Sequence, residues 1–257
     1  MGVQCKICGH DSRSFDHALL MKKYQVEYFE CPHCGFIQTE DPYWLEEAYS
    51  SAITNSDIGL IQRNIFLANQ VNTILKVIGG GNSFLDYGGG YGMFCRMMRD
   101  KGWDFEWYDE YCENLFAQHH EISRTHYDII TSFEMLEHLP QPIETLDKLF
   151  SLGDVLICTT ELIPDNKPKI KDWWYYCTDH GQHVSFYTRN SLKYVAEKYG
   201  KFFFSGHGVH IFSGKPVDEK KLDFVFKYPR LALRLYRLYD RPSLLGKDYY
   251  ELTGKRL

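Results

Sequence analysis

The sequence predicts an α/β fold with a mostly parallel sheet, preceded by a cysteine-bearing segment and followed by a helical tail. Three observations lead to this prediction. Short apolar runs alternate with helical segments between residues 83 and 212, a glycine-rich loop follows the first apolar run, and two Cys-x2-Cys pairs lie near the N-terminus. Alternating strands and helices imply parallel strands with helices on both faces of the sheet.

The composition is that of a globular protein with one main domain and smaller appendages. The 257 residues are 44% hydrophobic and 25% charged, which is enough to bury a full core. No apolar run approaches the ~18 residues of a membrane-spanning helix. The N-terminal stretch MGVQCKICGH also lacks the apolar run of a secretory signal. We therefore expect a cytoplasmic protein.

The periodicity places a helical connector at 42–80 and an α/β domain at 81–214. In the connector, apolar residues recur at helical spacing from Ile58 onward, after a candidate cap at Asn55-Ser56-Asp57. Strands are predicted at Ser83–Tyr87, Phe105–Tyr108, Tyr127–Phe133 and Val155–Thr159. Helices are predicted at Met93–Lys101, Cys112–His119, Ile143–Leu149 and Ser191–Tyr199. A hairpin of Phe202–Ser205 and Val209–Phe212 would add one antiparallel edge strand.

The two cysteine pairs predict a zinc ribbon over residues 1–41. Cys5-x2-Cys8 and Cys31-x2-Cys34 are separated by 22 residues, a spacing that is typical of zinc sites. Four thiolates close the tetrahedral shell, so the Zn²⁺ would be structural. His10 and His33 are near enough in sequence to substitute as ligands. The alternative is a redox dithiol, which two such pairs in one short segment make less favourable.

The glycine loop lies in the stretch FLDYGGGYGMF, residues 84–94. It does not fit the dinucleotide pattern G-x-G-x-x-G, because the third glycine position is Met93. Its pattern Asp86-x-Gly88-x-Gly90-x-Gly92 resembles motif I of class I S-adenosylmethionine (SAM) methyltransferases. The resemblance implies a Rossmann-like methyltransferase sheet in which Asp86 organises the amine side of SAM. Bare glycines, Gly89 included, would admit the methionine chain and point N–H groups at its carboxylate.

Two further features lie in register with that loop. Asp109 ends the second predicted strand, 17 residues after Gly92, and a carboxylate there can accept both ribose hydroxyls. The segment YDIITSFEMLEHLPQP, residues 127–142, resembles the fourth-strand segment of small-molecule methyltransferases. This segment implies that Phe133 and Glu134 lie beside the cofactor. The resemblance to methyltransferases as a whole covers roughly residues 60–214.

The third strand of that family is hard to find in this chain. Only 18 residues separate Asp109 from Asp128. We expect the stretch AQHHEISRTH to supply a shortened version of the strand.

The acceptor side is predicted in the loop of residues 161–188, which is rich in aromatic residues and contains HGQH. The segment HGQHVSFYT resembles one in sugar C-methyltransferases, which also carry an N-terminal zinc motif. The resemblance implies that His183 is the base. Aligned position by position, the tyrosine, first histidine and glutamate of that family correspond to His180, Gly181 and Gln182 of this chain. Because the tyrosine and the glutamate are missing here, C-methylation is disfavoured. We predict O-methylation of a sugar or sugar-linked metabolite in surface-glycan or secondary metabolism, with His183, His180 or Glu134 taking the proton.

The tail at 215–257 has eleven Lys/Arg against six Asp/Glu, although the whole chain has a net charge of −5. Its stretch YPRLALRLYRLYDRPSLLG, with Arg230, Arg234 and Arg237 on one face, predicts an amphipathic helix packed against its own domain. Peripheral membrane contact or dimerisation is the alternative.

Two other functions remain open from the sequence. An RNA methyltransferase would use the ribbon for recognition, but the ribbon is not basic and the N/D-P-P-Y/F motif is absent after the fourth strand. Nucleic acid is therefore the less favoured partner. A non-catalytic zinc-ribbon adaptor would need neither the glycine loop nor Asp109. A small-molecule methyltransferase accounts for more of these features.

Overall fold

The computed structural model describes residues 2–49 and 58–257, so the predicted cap at Asn55-Ser56-Asp57 lies outside the described residues. The helices are α1 Leu45–Ala48, α2 Leu60–Val77, α3 Met93–Asp100, α4 Pro142–Leu152, α5 Arg189–Lys198, α6 Glu219–Lys227, α7 Pro229–Leu235 and α8 Leu245–Thr253. The strands are β1 Val3–Gln4, β2 Asp11–Leu20, β3 Tyr24–Glu30, β4 Ile37–Thr39, β5 Phe84–Tyr87, β6 Phe105–Tyr108, β7 Tyr127–Phe133, β8 Gly153–Thr159, β9 Ser185–Phe186, β10 Phe202–Gly206 and β11 Val209–Ser213.

The contacts group the described residues into two compact units. Unit 1 comprises those within Met1–Thr54, Phe133–Ser151 and Cys158–Lys215. Unit 2 comprises those within Asn55–Ser132, Leu152–Ile157 and Pro216–Leu257. The predicted ranges 1–41, 42–80, 81–214 and 215–257 stay a prediction about domains.

Unit 1 contains an antiparallel sheet in the order β1-β2-β3-β4-β9. Its last strand comes from the loop of residues 161–188, so the N-terminal strands share a sheet with a distant part of the chain. The core beneath them is largely aromatic and includes Tyr28, Trp44, Tyr176 and Phe186, each at most 1% exposed. Burial of such large side chains contributes roughly 1.5–3 kcal/mol each, so the loop and the N-terminal strands stabilise each other.

The second sheet has the strand order β10-β11-β8-β7-β5-β6. Strand β5 pairs in parallel with both β6 and β7, and β10 pairs antiparallel with β11 as predicted. The predicted α/β class with an antiparallel edge strand is confirmed. The missing third strand is reduced to a single parallel bridge between Trp107 and Glu121.

The prediction of a helix at Cys112–His119 is wrong, because this part of the described chain is a series of turns. Side chains there bond to nearby backbone groups. Asn114 accepts the amide of Ala117 at 2.9 Å, an amide that a helix would bond to the carbonyl of Glu113. Such local bonds offer the backbone an alternative to the helical ladder.

The tail is also not the single helix predicted. Helix α7 ends at Leu235, a 3₁₀ turn follows at Tyr236–Tyr239, and α8 begins only at Leu245. Pro242 accounts for part of this interruption, because a residue before proline is pushed out of helical geometry.

The tail is held within unit 2 by helix packing and by ion pairs of a buried aspartate with two arginines. Helices α6 and α7 both contact α2. In α8, Asp248 accepts from Arg99 at 2.7 and 2.8 Å and from Arg96 at 2.7 Å, and both Asp248 and Arg99 are 2% exposed. Within the described ranges, none of the helices is long and apolar enough to cross a membrane.

Candidate cofactor, metal and acceptor sites

The glycine loop leaves the C-terminal end of β5 and leads into α3. Gly88, Gly90 and Gly92 have positive φ angles of 74°, 54° and 84°, which favour glycine. The amides of Gly88 and Gly89 donate to the carbonyl of Tyr108 at 2.8 and 3.1 Å. The loop is therefore fixed against the end of β6.

Gly89 and Gly90 differ in what surrounds them. A Cβ on Gly89 would lie 2.7 Å from both Asp86 Oδ2 and Trp107 Cδ1, so only glycine fits there. A Cβ on Gly90 would meet nothing within 4 Å in the described part of the chain. Gly90 is thus the point at which a ligand can approach the backbone closely.

Asp86 is a buried carboxylate with one uncompensated oxygen. Its Oδ1 accepts from Thr131 Oγ1 at 2.9 Å, whereas Oδ2 has no hydrogen-bond partner among the described residues. Burial raises the pKa of Asp86 to about 7, Asp109 raises it further and the Thr131 hydrogen bond opposes the rise. A cationic ligand group near Oδ2 would compensate the charge.

Asp109 already bonds to the glycine loop. Its Oδ2 accepts the amide of Gly90 at 2.8 Å, and its Oδ1 accepts the amides of Tyr111 and Cys112 at 2.8 and 2.9 Å. Its geometry is therefore set by three backbone groups. The glycine loop, Asp86 and Asp109 lie together in unit 2. The amides of Gly88, Gly89 and Gly90 already donate to Tyr108 and Asp109, and that of Gly92 donates to Gly89 O, so the glycine amides do not point at a ligand as predicted. The loop instead offers close backbone approach at Gly90, with Asp86 as a site for a cation and Asp109 as an acceptor for a diol. This set fits the ammonium and ribose of SAM.

The four paired cysteines come together in unit 1, as their spacing predicts. Their ligand atoms all lie within 4.8 Å of one another, with Cys5 Sγ 3.6 Å from Cys34 Sγ and Cys8 Sγ 3.5 Å from Cys31 Sγ. None of them forms a disulfide. A tetrahedral zinc site with bonds of about 2.3 Å has sulfur–sulfur edges of roughly 3.8 Å, so the thiols fit Zn²⁺, which stays a prediction.

The two cysteine pairs share one backbone geometry. Gly9 N donates to Cys5 O at 2.9 Å, and Gly35 N donates to Cys31 O at 2.8 Å. Both glycines have φ near +76°, at 75° and 77°. Each turn therefore presents its two thiols in the same way, which is what a ribbon requires. The rings of His10 and His33 stack at 3.8 Å beside this cluster.

The loop of residues 161–188, named the acceptor loop after its predicted role, is bound to the strands that carry the cysteines. Thr39 N donates to Val184 O at 3.1 Å, and Thr188 Oγ1 donates to Cys34 O at 2.7 Å. Gln182, which takes the place of the related family's glutamate, donates instead to Ala48 O at 2.8 Å. The cysteine cluster and the loop histidines thus belong to one structural unit.

His183 and His180 lie near each other in that loop, with ring centroids 5.7 Å apart. His183 Nδ1 lies 2.8 Å from the carbonyl of Tyr175, so the N–H is on Nδ1 and the lone pair is on Nε2. Burial holds the pKa of His183 well below its usual value, with His138 adding to the effect. Burial also lowers the pKa of His180. These shifts favour the neutral form of both rings.

Phe133 ends β7, and Glu134 follows it with a φ of 49°. A non-glycine residue in this region is strained, and such strain is concentrated at functional sites. Thr159 Oγ1 donates to Glu134 Oε1 at 2.7 Å and accepts the Glu134 amide at 3.0 Å. Phe133, Glu134, His180 and His183 all belong to unit 1, whereas the other predicted SAM-binding residues belong to unit 2.

The sequence reasoning gave no role to two residues beside His183. The ligand atoms of Glu137, His138 and His183 lie within 4.8 Å of one another. Burial raises the pKa of Glu137 to about 8, with Glu134 adding repulsion, and burial lowers the pKa of His138 to about 4. The signal that was available is an adjacent acid and histidine directly after a buried strand.

Comparison with family models shows which family this chain belongs to. A family model described as a methyltransferase domain matches residues 61–200. No curated protein sequence matches the chain.

Several solved structures resemble the fold. An O-methyltransferase family protein from Burkholderia thailandensis has 13% identity and a TM-score of 0.46, with 67% of this chain and 68% of that one covered. The mitomycin 7-O-methyltransferase MmcR has 13% identity and a TM-score of 0.43, with 66% of this chain and 59% of that one covered. Magnesium protoporphyrin IX methyltransferase (ChlM) from Synechocystis PCC 6803 with bound SAH has 14% identity and a TM-score of 0.39, with 65% of this chain and 90% of that one covered. At such values none of these proteins indicates a substrate for this chain.

The family match spans more than half of the chain. It includes the glycine loop, Asp109 and the strand that leads to Glu134. The chain therefore belongs to the methyltransferase domain family and is a SAM-dependent methyltransferase.

Proposed function

We propose that this protein methylates an oxygen of a small molecule, a sugar or sugar-linked metabolite of surface-glycan or secondary metabolism. The observation that carries the proposal is the orientation of the His183 ring. Its Nδ1–H is engaged by the Tyr175 carbonyl at 2.8 Å, which leaves Nε2 as a proton acceptor in a loop of the kind that binds substrates. A hydroxyl acceptor needs such a group, because its proton must leave as the methyl group arrives.

SAM supplies an electrophilic methyl group on a sulfonium sulfur. The chain's own contribution is alignment and removal of the acceptor proton. The glycine loop, Asp86 and Asp109 would hold the cofactor. His183 is the first candidate to draw the proton from the acceptor, and His180 and Glu134 are the other candidates.

The acceptor loop also carries an exposed aromatic face. Trp174 is 73% exposed, although its neighbours Tyr175 and Tyr176 are buried. Aromatic side chains combined with a few polar groups are typical of small-molecule sites, and Trp174 can pack against the apolar face of a sugar ring. A sugar acceptor is therefore proposed over a charged polymer.

The raised pKa of Asp86 predicts that a proton is released when SAM binds. Because its pKa is raised to about 7, Asp86 is protonated in the ligand-free protein at pH 5.5, and the SAM ammonium would favour its ionised form. We expect release of roughly one proton per SAM at pH 5.5 and about a quarter at pH 7.5. Calorimetry in two buffers of different protonation enthalpy measures this number, and Asp86→Asn should release none. Equal release from the variant would contradict the assignment.

Methyl transfer itself is tested with SAM and a panel of nucleotide-linked sugars, with mass spectrometry to detect methylated products. We expect at least one product, and His183→Ala should lower kcat by about 10²–10⁴ with an unchanged Kd for SAM. Unchanged kcat in that variant would remove His183 from proton transfer. Methylation of RNA, with an affinity that falls steeply as salt rises, would instead overturn the proposed acceptor class.

A further inference from the structure

A second cluster of metal-ligating side chains lies in unit 1, apart from the four cysteines. It consists of Glu137, His138 and His183, whose ligand atoms lie within 4.8 Å of one another. Glu137 is fully buried and His183 is 8% exposed. One carboxylate and two imidazoles form a ligand set that suits divalent first-row cations.

Glu137 is a buried carboxylate whose charge is only weakly compensated. Neither of its oxygens makes a hydrogen bond of normal geometry in the part of the chain that the structure describes, and burial raises its pKa more than the nearby Tyr175 and Thr160 hydroxyls and the Glu137 amide lower it. The carboxylate of Glu134 is also close enough to repel it. Burying an uncompensated carboxylate is costly, and a cation between these groups would remove both the desolvation cost and the repulsion.

Both histidines are oriented as metal ligands are. His183 is held through Nδ1 by the Tyr175 carbonyl at 2.8 Å, and His138 Nδ1 lies 2.9 Å from the hydroxyl of Tyr49. Ligating histidines nearly always have their other ring nitrogen bonded in this way. The backbone carbonyl of Gln182 also interacts with the His138 ring, so a cation would replace that contact.

The backbone holds the ligand-bearing segments together. Glu137 and His138 lie in a 3₁₀ turn, Leu136–His138. Val184 N donates to Glu137 O at 2.8 Å, and Tyr187 Oη donates to Leu136 O at 3.0 Å. The turn and the loop therefore present their side chains from a fixed frame, which is what an efficient metal site requires.

We propose that Glu137, His138 and His183 bind one divalent first-row cation, at a site separate from the four-cysteine cluster. Ligand atoms bonded at about 2.1 Å to one ion lie roughly 3–4.2 Å apart. The ligand atoms of the cluster, which all lie within 4.8 Å of one another, are therefore near the spacing that one ion requires. Glu134 is the nearby carboxylate whose charge the cation would also neutralise.

This inference deepens the proposed function, and its catalytic part rests on that function. An acceptor hydroxyl bound to the cation becomes more acidic. Its proton passes to a ring nitrogen of His180, whose buried Nδ1 has no partner among the described residues. The oxygen then forms a bond to the methyl carbon, and the electrons of the breaking C–S bond go to sulfur. When the cation is bound, His183 is one of its ligands and does not take the proton. The cation then activates the acceptor hydroxyl, which is the role first proposed for His183.

The test uses the zinc-replete full chain and Mn²⁺, followed by electron paramagnetic resonance. Thiolates select zinc, whereas carboxylate and imidazole ligands suit Mn²⁺ and Co²⁺, so the two sites are counted separately. We expect one Mn²⁺ per chain, with one zinc retained. Co²⁺ should also bind without the intense sulfur charge-transfer bands that a cysteine site would give.

Three variants and one control locate the site. Glu137→Gln and His183→Ala should each raise the Mn²⁺ Kd by more than ~100-fold, and Tyr49→Phe by about tenfold, as loss of an outer partner of a ligand does. His17→Ala is the matched control, because His17 is an exposed histidine of the same unit outside the cluster. Zinc content should stay constant in all four variants, which shows that unit 1 is folded.

The proposal is overturned if neither Mn²⁺ nor Co²⁺ binds beyond the zinc equivalent, or if binding is unchanged in both Glu137→Gln and His183→Ala. Methyl transfer to a sugar without any cation binding would overturn this inference alone. One Mn²⁺ bound at Glu137 and His183, together with methylation of RNA only, would support the cation site and overturn the proposed acceptor class. Failure of the cation site and failure of the proposed acceptor class therefore give different results.

Discussion

Cys31→Ser is expected to abolish zinc binding and to unfold the strands that carry the cysteine pairs. Structural zinc sites of this kind contribute on the order of 10 kcal/mol, far more than a small sheet can replace. Cys31 is fully buried, so a weakly ligating hydroxyl there has no access to a substitute ligand. Metal analysis should find almost no zinc in the variant, and thermal unfolding should shift to much lower temperature.

The neighbouring Cys8→Ser change should be milder. The ligand atoms of Cys8, His10 and His33 lie within 4.8 Å of one another, so an imidazole can take the vacant position. We expect zinc to be retained with weaker affinity and to be lost only when His10 and His33 are also replaced by alanine. Cys177→Ser, a half-buried cysteine of the same unit outside the cluster, is the control. Equal zinc loss in Cys8→Ser and Cys31→Ser would contradict the substitution by histidine.

Loss of zinc should also reach the acceptor loop. Strand β9 pairs with β4, and Thr188 donates to the carbonyl of Cys34. The amide of Thr39 donates to Val184 O, next to His183. Hydrogen exchange at Thr39 therefore reports on this connection, and we expect its protection to disappear in Cys31→Ser but to persist in Cys177→Ser.

The parts of the fold that the sequence predicted are those that local patterns determine. Strands β6 and β7 begin and end at the predicted residues, because an apolar run bounded by turn residues is a local feature. The two cysteine turns repeat the same short motif. The predicted helix at Cys112–His119 failed because Asn114 accepts the amide of Ala117, and because the amides of Leu115 and Phe116 donate to Tyr91 O, outside the predicted helix.

The features that were missed depend on contacts between distant residues. Nothing in the local pattern indicates that Ser185–Phe186 pairs with Ile37–Gln38. The grouping of Glu137 and His138 with His183 likewise depends on a backbone bond from Val184 to Glu137. The residues of the glycine loop could be predicted because their spacing is itself the motif, whereas the predicted acceptor side is assembled from separate segments.

Asp109→Ala is expected to weaken SAM binding by about 100-fold or more, since hydrogen bonds to a charged group contribute roughly 1.5–3 kcal/mol each. Calorimetry with S-adenosylhomocysteine and with its 2′-deoxy analogue shows where that energy is lost. The normal protein should bind the deoxy analogue at least tenfold more weakly, because one oxygen of Asp109 loses its partner. Glu110→Ala, at an exposed neighbouring acid, is the control and should keep both affinities.

The comparison of the two ligands separates the two roles that Asp109 combines. If Asp109 reads the diol, the variant should no longer distinguish the two ligands, because the group that sensed the missing hydroxyl is gone. If Asp109 only fixes the loop through the amide of Gly90, the variant should lose affinity for both ligands by the same factor and keep its preference. A preserved preference would therefore reject the ribose assignment, even if SAM affinity falls as expected.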